Sequence, residues 1–224
     1  MDSMKTYHLL TLGCQMNHSD SERIEFLLSS FGLRSAPEEK ADLILVNSCS
    51  VRQKPIDRIW GKVKVWNKIN PNAKKILTGC VLPSDLKKME QKFDFCFKIE
   101  DLKRFKDYLA SANLDKMNLI CHSEAELKNL KRDPSPLAQD DSYLEIKPKR
   151  KDKKTAYVPI MSGCNNFCSY CAVPYTRGRE WSRRPSTIIK EVRCLADRGY
   201  KKILLLGQNV CSYQNPKSKI QNNP

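Results

Sequence analysis

The first half of the chain alternates between short strand-like runs and amphipathic stretches. The strand-like runs lie at residues 7–12, 43–46, 75–78 and 95–97. The run at 43–46 is apolar throughout, as in a strand that is covered on both faces. In the stretch that follows the first run, apolar residues recur at helical spacing, which predicts a helix capped by Ser19 or Asp20 and ended by Gly32. This alternation predicts a mostly parallel α/β sheet over residues 5–112.

A second amphipathic stretch lies between the second and third runs. Its apolar stripe consists of Ile56, Ile59, Trp60, Val63 and Trp66. These positions fall on one face of a helix, which should end before Pro71. We therefore expect both tryptophans to lie in the core. A short helix capped by Ser84 and another that begins at Asp101 complete the predicted domain.

The pattern breaks between residues 113 and 155. This segment contains three prolines and a run at 147–154 in which six of eight residues are basic. We interpret 113–155 as a linker with room for one short strand, and its basic run as solvated. The alternation resumes with a strand at 157–161, a helix from Ser186 to Gly199 and a strand at 202–206.

One strand–loop–helix–strand unit cannot bury its own apolar faces. Residues 156–213 are therefore expected to be the start of a domain that further βα units would complete. A polar tail at 214–224 follows.

Charge and composition narrow the classes of function. The chain has 40 Lys and Arg against 25 Asp and Glu, which gives a formal net charge of +15. Such an excess favours an anionic partner without specifying one. No window of the chain is apolar enough to span a membrane, and the N-terminus has no apolar signal region. We expect a cytoplasmic protein in a reducing compartment, where its ten cysteines favour metal ligands or catalytic thiols over disulfides.

The densest cysteine cluster follows the strand at 157–161. Cys164, Cys168 and Cys171 form a CxxxCxxC pattern in one short loop. Thiolates favour iron–sulfur clusters, zinc or copper(I). Three local ligands would leave one iron of a four-iron cluster without a protein ligand, and that iron could bind a cofactor. Structural burial and zinc binding remain alternatives.

A second set of cysteines is dispersed along the first domain. Cys14, Cys49 and Cys80 each follow one of the first three predicted strands. Because parallel strands end at the same edge of a sheet, we expect the three thiols to meet there. Coincidence remains open, since an isolated intracellular cysteine is usually a small buried apolar residue. That plainer interpretation is applied to Cys96, Cys121, Cys194 and Cys211.

Longer motifs surround both sets of cysteines. They are Gly13-Cys14-Gln15-Met16-Asn17, Asn47-Ser48-Cys49-Ser50-Val51-Arg52, Gly163-Cys164-Asn165, Tyr170-Cys171-Ala172-Val173-Pro174-Tyr175-Thr176-Arg177-Gly178 and Leu206-Gly207-Gln208-Asn209-Val210. A CxxxCxxC pattern with an aromatic residue before its last cysteine resembles the signature of radical S-adenosylmethionine (radical SAM) enzymes. Together the motifs resemble the methylthiotransferase family over nearly all of residues 5–213.

The resemblance implies two [4Fe–4S] clusters and S-adenosylmethionine as cofactors. One cluster, which binds S-adenosylmethionine at its open iron, would be held by Cys164, Cys168 and Cys171. An auxiliary cluster, which carries or delivers the sulfur, would be held by Cys14, Cys49 and Cys80. Contacts to the cofactor are expected from Tyr170, Gln208 and Asn209. No catalytic residue is implied beyond the cluster ligands.

The implied reaction adds a methylthio group to C2 of N6-isopentenyladenosine beside the tRNA anticodon. The motif Gln15-Met16-Asn17 and the basic charge favour this substrate. The alternatives are relatives that act on threonylcarbamoyl-adenosine in tRNA or on a ribosomal protein, and a non-enzymatic zinc-binding RNA module.

RNA contacts are expected from Arg177, Arg179, Arg183 and Arg184, although a solvated basic loop is the alternative. The other expected partner is an electron donor such as flavodoxin or ferredoxin, and the protein is expected to be a monomer without membrane association.

The expected fold is therefore an α/β protein with a truncated second domain. Residues 5–112 would form an N-terminal methylthiotransferase domain with a parallel sheet, and 113–155 the linker. Residues 156–213 would supply the first βα units of a radical SAM partial (βα) barrel. Members of the family are longer than this chain and complete the barrel, so this sequence is expected to be the N-terminal half of such an enzyme.

Overall fold

The structure, a computed structural model, describes residues 4–51, 53–112 and 143–213. It is a mixed α/β protein with a five-stranded sheet, followed by a smaller segment with a two-stranded parallel pair. The predicted fold class is confirmed. In the described part of the chain, no helix is long and apolar enough to cross a membrane. The predicted polar tail and Cys121 lie outside the described residues.

The first domain follows the predicted alternation of strands and helices. Its elements in chain order are β1 (Thr6–Leu12), α1 (Gln15–Ser30), β2 (Arg34–Ser35), β3 (Leu43–Cys49), α2 (Gln53–Ile69), β4 (Lys74–Cys80), α3 (Pro83–Met89), β5 (Phe95–Cys96) and α4 (Leu102–Ala112). The strand order in the sheet is β2-β1-β3-β4-β5, and every pair is parallel. A 3-10 turn at Ile99–Asp101 leads into α4.

Two apolar cores cover the two faces of this sheet. Leu43 and Leu45 of β3 pack in one core with residues of α1 and α4, whereas Ile44 and Val46 pack in the other with residues of α2. This double coverage explains why β3 is apolar at successive positions. Trp66 of α2 is fully buried, and its indole N–H donates to Glu38 at 2.8 Å. Trp60 packs against the same core, as predicted.

The start of α1 differs from the prediction. The helix begins at Gln15 with Cys14 as its N-cap, and Ser19 and Asp20 are buried within it. Asn17 caps this end, since its side-chain oxygen accepts a hydrogen bond from the backbone N–H of Cys14 at 3.2 Å. A cysteine at the N-cap lies outside the usual capping residues, so the pattern did not reveal the true start.

The second segment has a more broken sheet than predicted. Its elements are β6 (Thr155–Pro159), β7 (Met161–Ser162), α5 (Val173–Thr176), β8 (Trp181–Ser182), α6 (Pro185–Asp197) and β9 (Lys202–Leu206). β6 pairs with β9 in parallel, whereas β7 pairs with β8 in antiparallel orientation. The single strand predicted at 157–161 is divided at Ile160. Its N–H donates to Leu206 at 2.8 Å and its carbonyl accepts from Arg183 at 2.8 Å, so Ile160 bridges the two strand pairs.

Residues 143–151 correct the predicted linker. Tyr143 and Leu144 are buried in the core formed by α1 and α4. The guanidinium of the fully buried Arg23 donates to the carbonyl of Leu144 at 3.3 and 3.4 Å. Two residues of the basic run that follows form ion pairs: Arg150 with Glu191 at 2.5 Å and Lys151 with Glu25 at 2.6 Å. A two-residue apolar insertion has no period, which is why the sequence pattern missed it.

We predict that Leu144→Ala destabilises the protein by about 2–5 kcal/mol, because it leaves a cavity in the core of the first domain. Urea denaturation followed by circular dichroism measures the change. Lys153→Ala, at an exposed position in the following segment, is the control and should change stability by less than about 0.5 kcal/mol. Equal, small effects of the two substitutions would contradict the assignment of Leu144 to the core.

Glu22 of α1 makes stability depend on pH. Burial raises its pKa to about 7 from 4.5, although Arg150 and Arg23 oppose this shift. Because the folded state holds the proton more tightly than the unfolded state, the contribution of Glu22 is fully present below pH 4.5 and is lost as pH rises through 7. Glutamine cannot ionise, so Glu22→Gln should raise the free energy of unfolding more at pH 8 than at pH 5. We expect a difference of about 1–2 kcal/mol after solvent screening of this partly exposed group.

Urea denaturation at pH 5 and pH 8 measures this difference. Glu39→Gln is the matched control, because Glu39 is exposed. A pH dependence that is the same in Glu22→Gln and in the parent chain would contradict the prediction.

Candidate metal centres

The carboxyl edge of the five-stranded sheet brings Cys14, Cys49 and Cys80 together. Cys49 and Cys80 are the last residues of β3 and β4 and lie directly opposite each other. Cys14 follows β1 as the N-cap of α1. The amide of Asn17 lies between them, with its oxygen 3.4 Å from the Cys14 sulfur and its nitrogen 3.9 Å from the Cys80 sulfur. The parallel register thus gathers three residues that are far apart in sequence.

A buried polar network holds Asn17 in place. Its side-chain N–H groups donate to Asn47 at 3.1 Å and to the carbonyl of Ser48 at 3.2 Å. Asn47 in turn donates to the backbone carbonyl of Asn17 at 2.8 Å. A fully buried side chain with these partners has one orientation, so the Asn17 amide lies in a fixed position beside the three thiols.

Two glycines allow the backbone to come close to Asn17 and to the network that holds it. A Cβ at Gly13 would lie 2.2 Å from the side-chain oxygen of Asn17. Gly79 has φ +109°, and a Cβ there would lie 2.2 Å from the carbonyl oxygen of Ser48. Any side chain at either position would push apart the elements that carry the cysteines.

The three thiols differ in their surroundings. Cys14 is exposed, whereas Cys49 and Cys80 are buried. A hydrogen bond with Cys49, together with burial, raises the pKa of the Cys80 thiol, and the charge of Arg177 opposes this. The group of thiols is therefore open to solvent on the Cys14 side and closed on the other.

The CxxxCxxC loop follows β7 in the second segment. Cys164 is buried and its N–H donates to the carbonyl of Gly178 at 3.2 Å. Gly163 has φ +79°, and a Cβ there would lie 2.1 Å from the carbonyl oxygen of Arg179, so the loop packs tightly against residues 178–179. Cys168 is exposed and Cys171 half-buried. The loop thus has one buried, one half-buried and one exposed cysteine above a closely packed base.

The residues predicted to contact a cofactor surround the ends of β6, β7 and β9. Tyr170 is 90% exposed, beside the last cysteine of the loop. Gln208 and Asn209 follow β9, whose carboxyl end adjoins β6 in parallel register. The side-chain oxygen of Gln208 is buried and has no hydrogen-bond partner among the described residues. A buried acceptor of this kind suits a ligand that brings a donor.

Two of the four arginines predicted to contact RNA are buried, which corrects that prediction for them. Arg177 is 2% exposed and forms an ion pair with Asp20 at 2.5 Å. Arg183 is 5% exposed and binds the carbonyl of Pro159 at 2.8 Å and Glu191 at 2.9 Å. Both guanidinium groups thus bond to acceptors inside the protein.

The other two arginines remain candidates for RNA contact. Arg179 is exposed on the segment that faces the CxxxCxxC loop. Arg184 is half-buried at the start of α6. Both lie within a short distance along the chain of the cysteine loop.

Sequence reasoning missed Asp20 and Tyr143 as parts of the site. The hydroxyl of Tyr143 donates to Asp20 at 3.1 Å, and both side chains contact Arg177. Asp20 lies one turn beyond Asn17 on α1, which is a signal that helical spacing could have supplied. Tyr143 lies in no periodic pattern of the sequence and had no such signal.

The donor set fits iron–sulfur clusters. Among the described residues, no three His, Cys, Asp or Glu side chains are grouped as ligands of one metal ion. A four-iron cluster takes each thiolate on a separate iron atom. Each set of three thiols therefore supplies the number of ligands that a four-iron cluster with one open iron takes.

Comparison with known proteins gives matches to both parts of the chain. Residues 6–98 match the uncharacterized protein family UPF0004, and residues 158–220 match the radical SAM superfamily. Proteins named tRNA-2-methylthio-N(6)-dimethylallyladenosine synthase are among the similar curated relatives. The one from Dictyoglomus thermophilum is 38% identical over 212 residues, covering 94% of this chain and 46% of the relative.

Two further relatives carry the same name. The protein from Thermoanaerobacter sp. (strain X514) is 38% identical over 216 residues, covering 92% of this chain and 43% of the relative. The protein from Caldicellulosiruptor saccharolyticus is 38% identical over 219 residues, covering 93% and 44%. The chain thus spans less than half the length of these relatives. The first part of the chain thus matches the UPF0004 model and the second part the radical SAM model, and over more than 90% of its length the chain is similar to these synthases.

Proposed function

We propose that this chain is the cluster-binding part of a tRNA methylthiotransferase that adds a methylthio group to C2 of N6-isopentenyladenosine beside the anticodon. The names of its relatives support this substrate. The observation that carries the proposal is the gathering of Cys14, Cys49 and Cys80 around Asn17, beside a second trio in the CxxxCxxC loop. Two sets of thiols suit a reaction that needs both a radical source and a sulfur donor.

Cys164, Cys168 and Cys171 would hold the radical SAM cluster. That cluster, when bound, supplies the electron that cleaves the sulfonium of S-adenosylmethionine and so generates a carbon radical. The chain's own residues bind and orient the cofactor: Gln208 offers its unpaired buried oxygen, Asn209 follows it, and Tyr170 offers an exposed ring. The packed base of the loop at Gly163 fixes the direction in which the thiols point.

Cys14, Cys49 and Cys80 would hold the auxiliary cluster that carries or delivers the sulfur. Burial of Cys49 and Cys80 keeps water away from one side of this site. The exposed Cys14 leaves the other side open for the substrate. Asn17 keeps its amide between two of the thiols and so holds them apart.

The partners follow from charge and chemistry. The net charge of +15 suits tRNA, and the exposed Arg179 with the half-buried Arg184 would contact backbone phosphates near the cysteine loop. Reduction of the cluster requires an electron donor such as flavodoxin or ferredoxin. We propose that the protein acts as a monomer in the cytoplasm.

Anaerobic reconstitution with iron and sulfide tests the metal content. We expect about eight iron atoms per chain, since each thiol trio holds one four-iron cluster. Cys164→Ala and Cys80→Ala should each remove about four iron atoms, and the double variant should retain none. Cys194→Ala is the matched control, because Cys194 is an exposed cysteine on α6 away from both trios. Binding of about two zinc ions with no iron would instead favour a non-enzymatic zinc-binding RNA module.

The salt dependence of RNA binding tests the proposed contacts of Arg179. With an anticodon stem–loop that carries N6-isopentenyladenosine, Arg179→Gln should reduce the slope of log K against log salt by about 1, because one phosphate contact is lost. Arg34→Gln is the control, since Arg34 is exposed at the amino edge of the sheet, opposite the cysteines. Equal slopes for Arg179→Gln and the parent chain would contradict the contact.

The same assay separates the proposed substrate from its alternative. A stem–loop with threonylcarbamoyl-adenosine at the same position should bind more weakly than the isopentenyl form. Tighter binding of the threonylcarbamoyl form would favour the branch of the family that acts on that nucleoside.

A further inference from the structure

Arg177 reaches from the second segment to the thiol trio of the first domain. It is the residue after α5, six residues beyond the last cysteine of the CxxxCxxC loop. Its Nε lies 2.8 Å from the sulfur of Cys80 and donates to it. The remaining nitrogens donate to the Tyr143 hydroxyl at 3.0 Å and to Asp20 at 2.5 Å.

Hydrogen bonds to three side chains fix the position of this guanidinium. Arg177 is 2% exposed, and the Asp20 carboxylate that it pairs with is fully buried. The Tyr143 hydroxyl bridges the pair, because it accepts from Arg177 and donates to Asp20 at 3.1 Å. An arginine guanidinium stays protonated in proteins, so the group is a cation held 2.8 Å from the Cys80 sulfur.

A fixed cation at a ligand sulfur acts on the redox state of a cluster. Reduction adds one electron, so the reduced cluster is the more negative state. Hydrogen bonds to the sulfurs, net charge and solvent exposure set the reduction potential of iron–sulfur clusters. An N–H donor that carries a positive charge stabilises the reduced state more than the oxidised state, and in a buried site little solvent screens this effect.

We propose that Arg177 is a positioning residue that raises the reduction potential of the cluster held by Cys14, Cys49 and Cys80, while it fixes this trio relative to the CxxxCxxC loop. The proposal rests on the proposed function, since it requires a cluster at this trio. The hydrogen bonds of Arg177 to Asp20 and Tyr143 orient its guanidinium, so that the Nε–H points at the sulfur. A merely structural ion pair between the two segments would leave the potential unchanged.

Potentiometry on the full chain separates these roles. The background variant Cys164→Ala/Cys168→Ala/Cys171→Ala removes the second cluster, so a single species is titrated after reconstitution. Reduction is followed by electron paramagnetic resonance in the presence of redox mediators. In this background, Arg177→Gln should lower the ratio of reduced to oxidised cluster at a fixed potential about tenfold, which corresponds to a shift of about 59 mV to more negative potential for one electron.

Further variants distinguish charge from geometry. Arg177→Lys keeps the charge but cannot donate to three partners in a plane, so we expect a smaller negative shift. Tyr143→Phe changes no charge and removes one of the groups that orient Arg177, so it should also shift the potential in the negative direction, by less than Arg177→Gln. Arg34→Gln removes a positive charge at the opposite edge of the sheet and should leave the potential unchanged.

Iron content tests the proposed cluster, and the reduction potential tests the role of Arg177, so the two can fail independently. A background variant that binds no iron would contradict the proposed cluster itself, whatever the role of Arg177. About four iron atoms with an unchanged potential in Arg177→Gln would overturn the role assigned to Arg177. If Arg177→Gln lost its iron while its circular dichroism stayed native, Tyr143→Phe would decide: an unchanged potential there overturns the proposal, and a negative shift supports it.

Discussion

The parallel register of the first domain is the constraint on which its site depends. Because every strand of the sheet runs in one direction, the ends of β1, β3 and β4 share an edge, and the pairing of Cys49 with Cys80 follows directly. A slip of β4 by one residue relative to β3 would take Cys80 out of register with Cys49 and turn its side chain to the other face of the sheet. The chemistry of the site is thus set by packing that lies well away from it.

Buried charge joins the second segment to this domain. Arg177 pairs with Asp20 of α1, Arg23 binds the carbonyl of Leu144, and Arg183 and Arg150 share Glu191 of α6. A guanidinium without acceptors would be costly to bury, so the Arg177–Asp20 pair, whose partners lie in different segments, favours one arrangement of the two segments over a displaced one.

The sequence was sufficient for the parts of the molecule that repeat a pattern. The strands, the helix stripe with Trp66 and the edge that collects the dispersed cysteines all follow from period and topology. Features that depend on one tertiary contact did not follow. The two-residue insertion of Tyr143 and Leu144 has no period, and the burial of Arg177 depends on an Asp20 that lies far away in sequence.

The two corrected arginines show why a cluster of basic residues is ambiguous. Arg177, Arg179, Arg183 and Arg184 look equivalent as a pattern, yet the structure divides them by what faces them. Arg177 is buried against Asp20 of the first domain, and Arg183 is buried against the carbonyl of Pro159 and the carboxylate of Glu191 in its own segment. Arg179 remains exposed. The basic residues of this loop therefore differ in their surroundings: Arg177 pairs with the first domain, Arg183 pairs within its own segment, and Arg179 faces solvent.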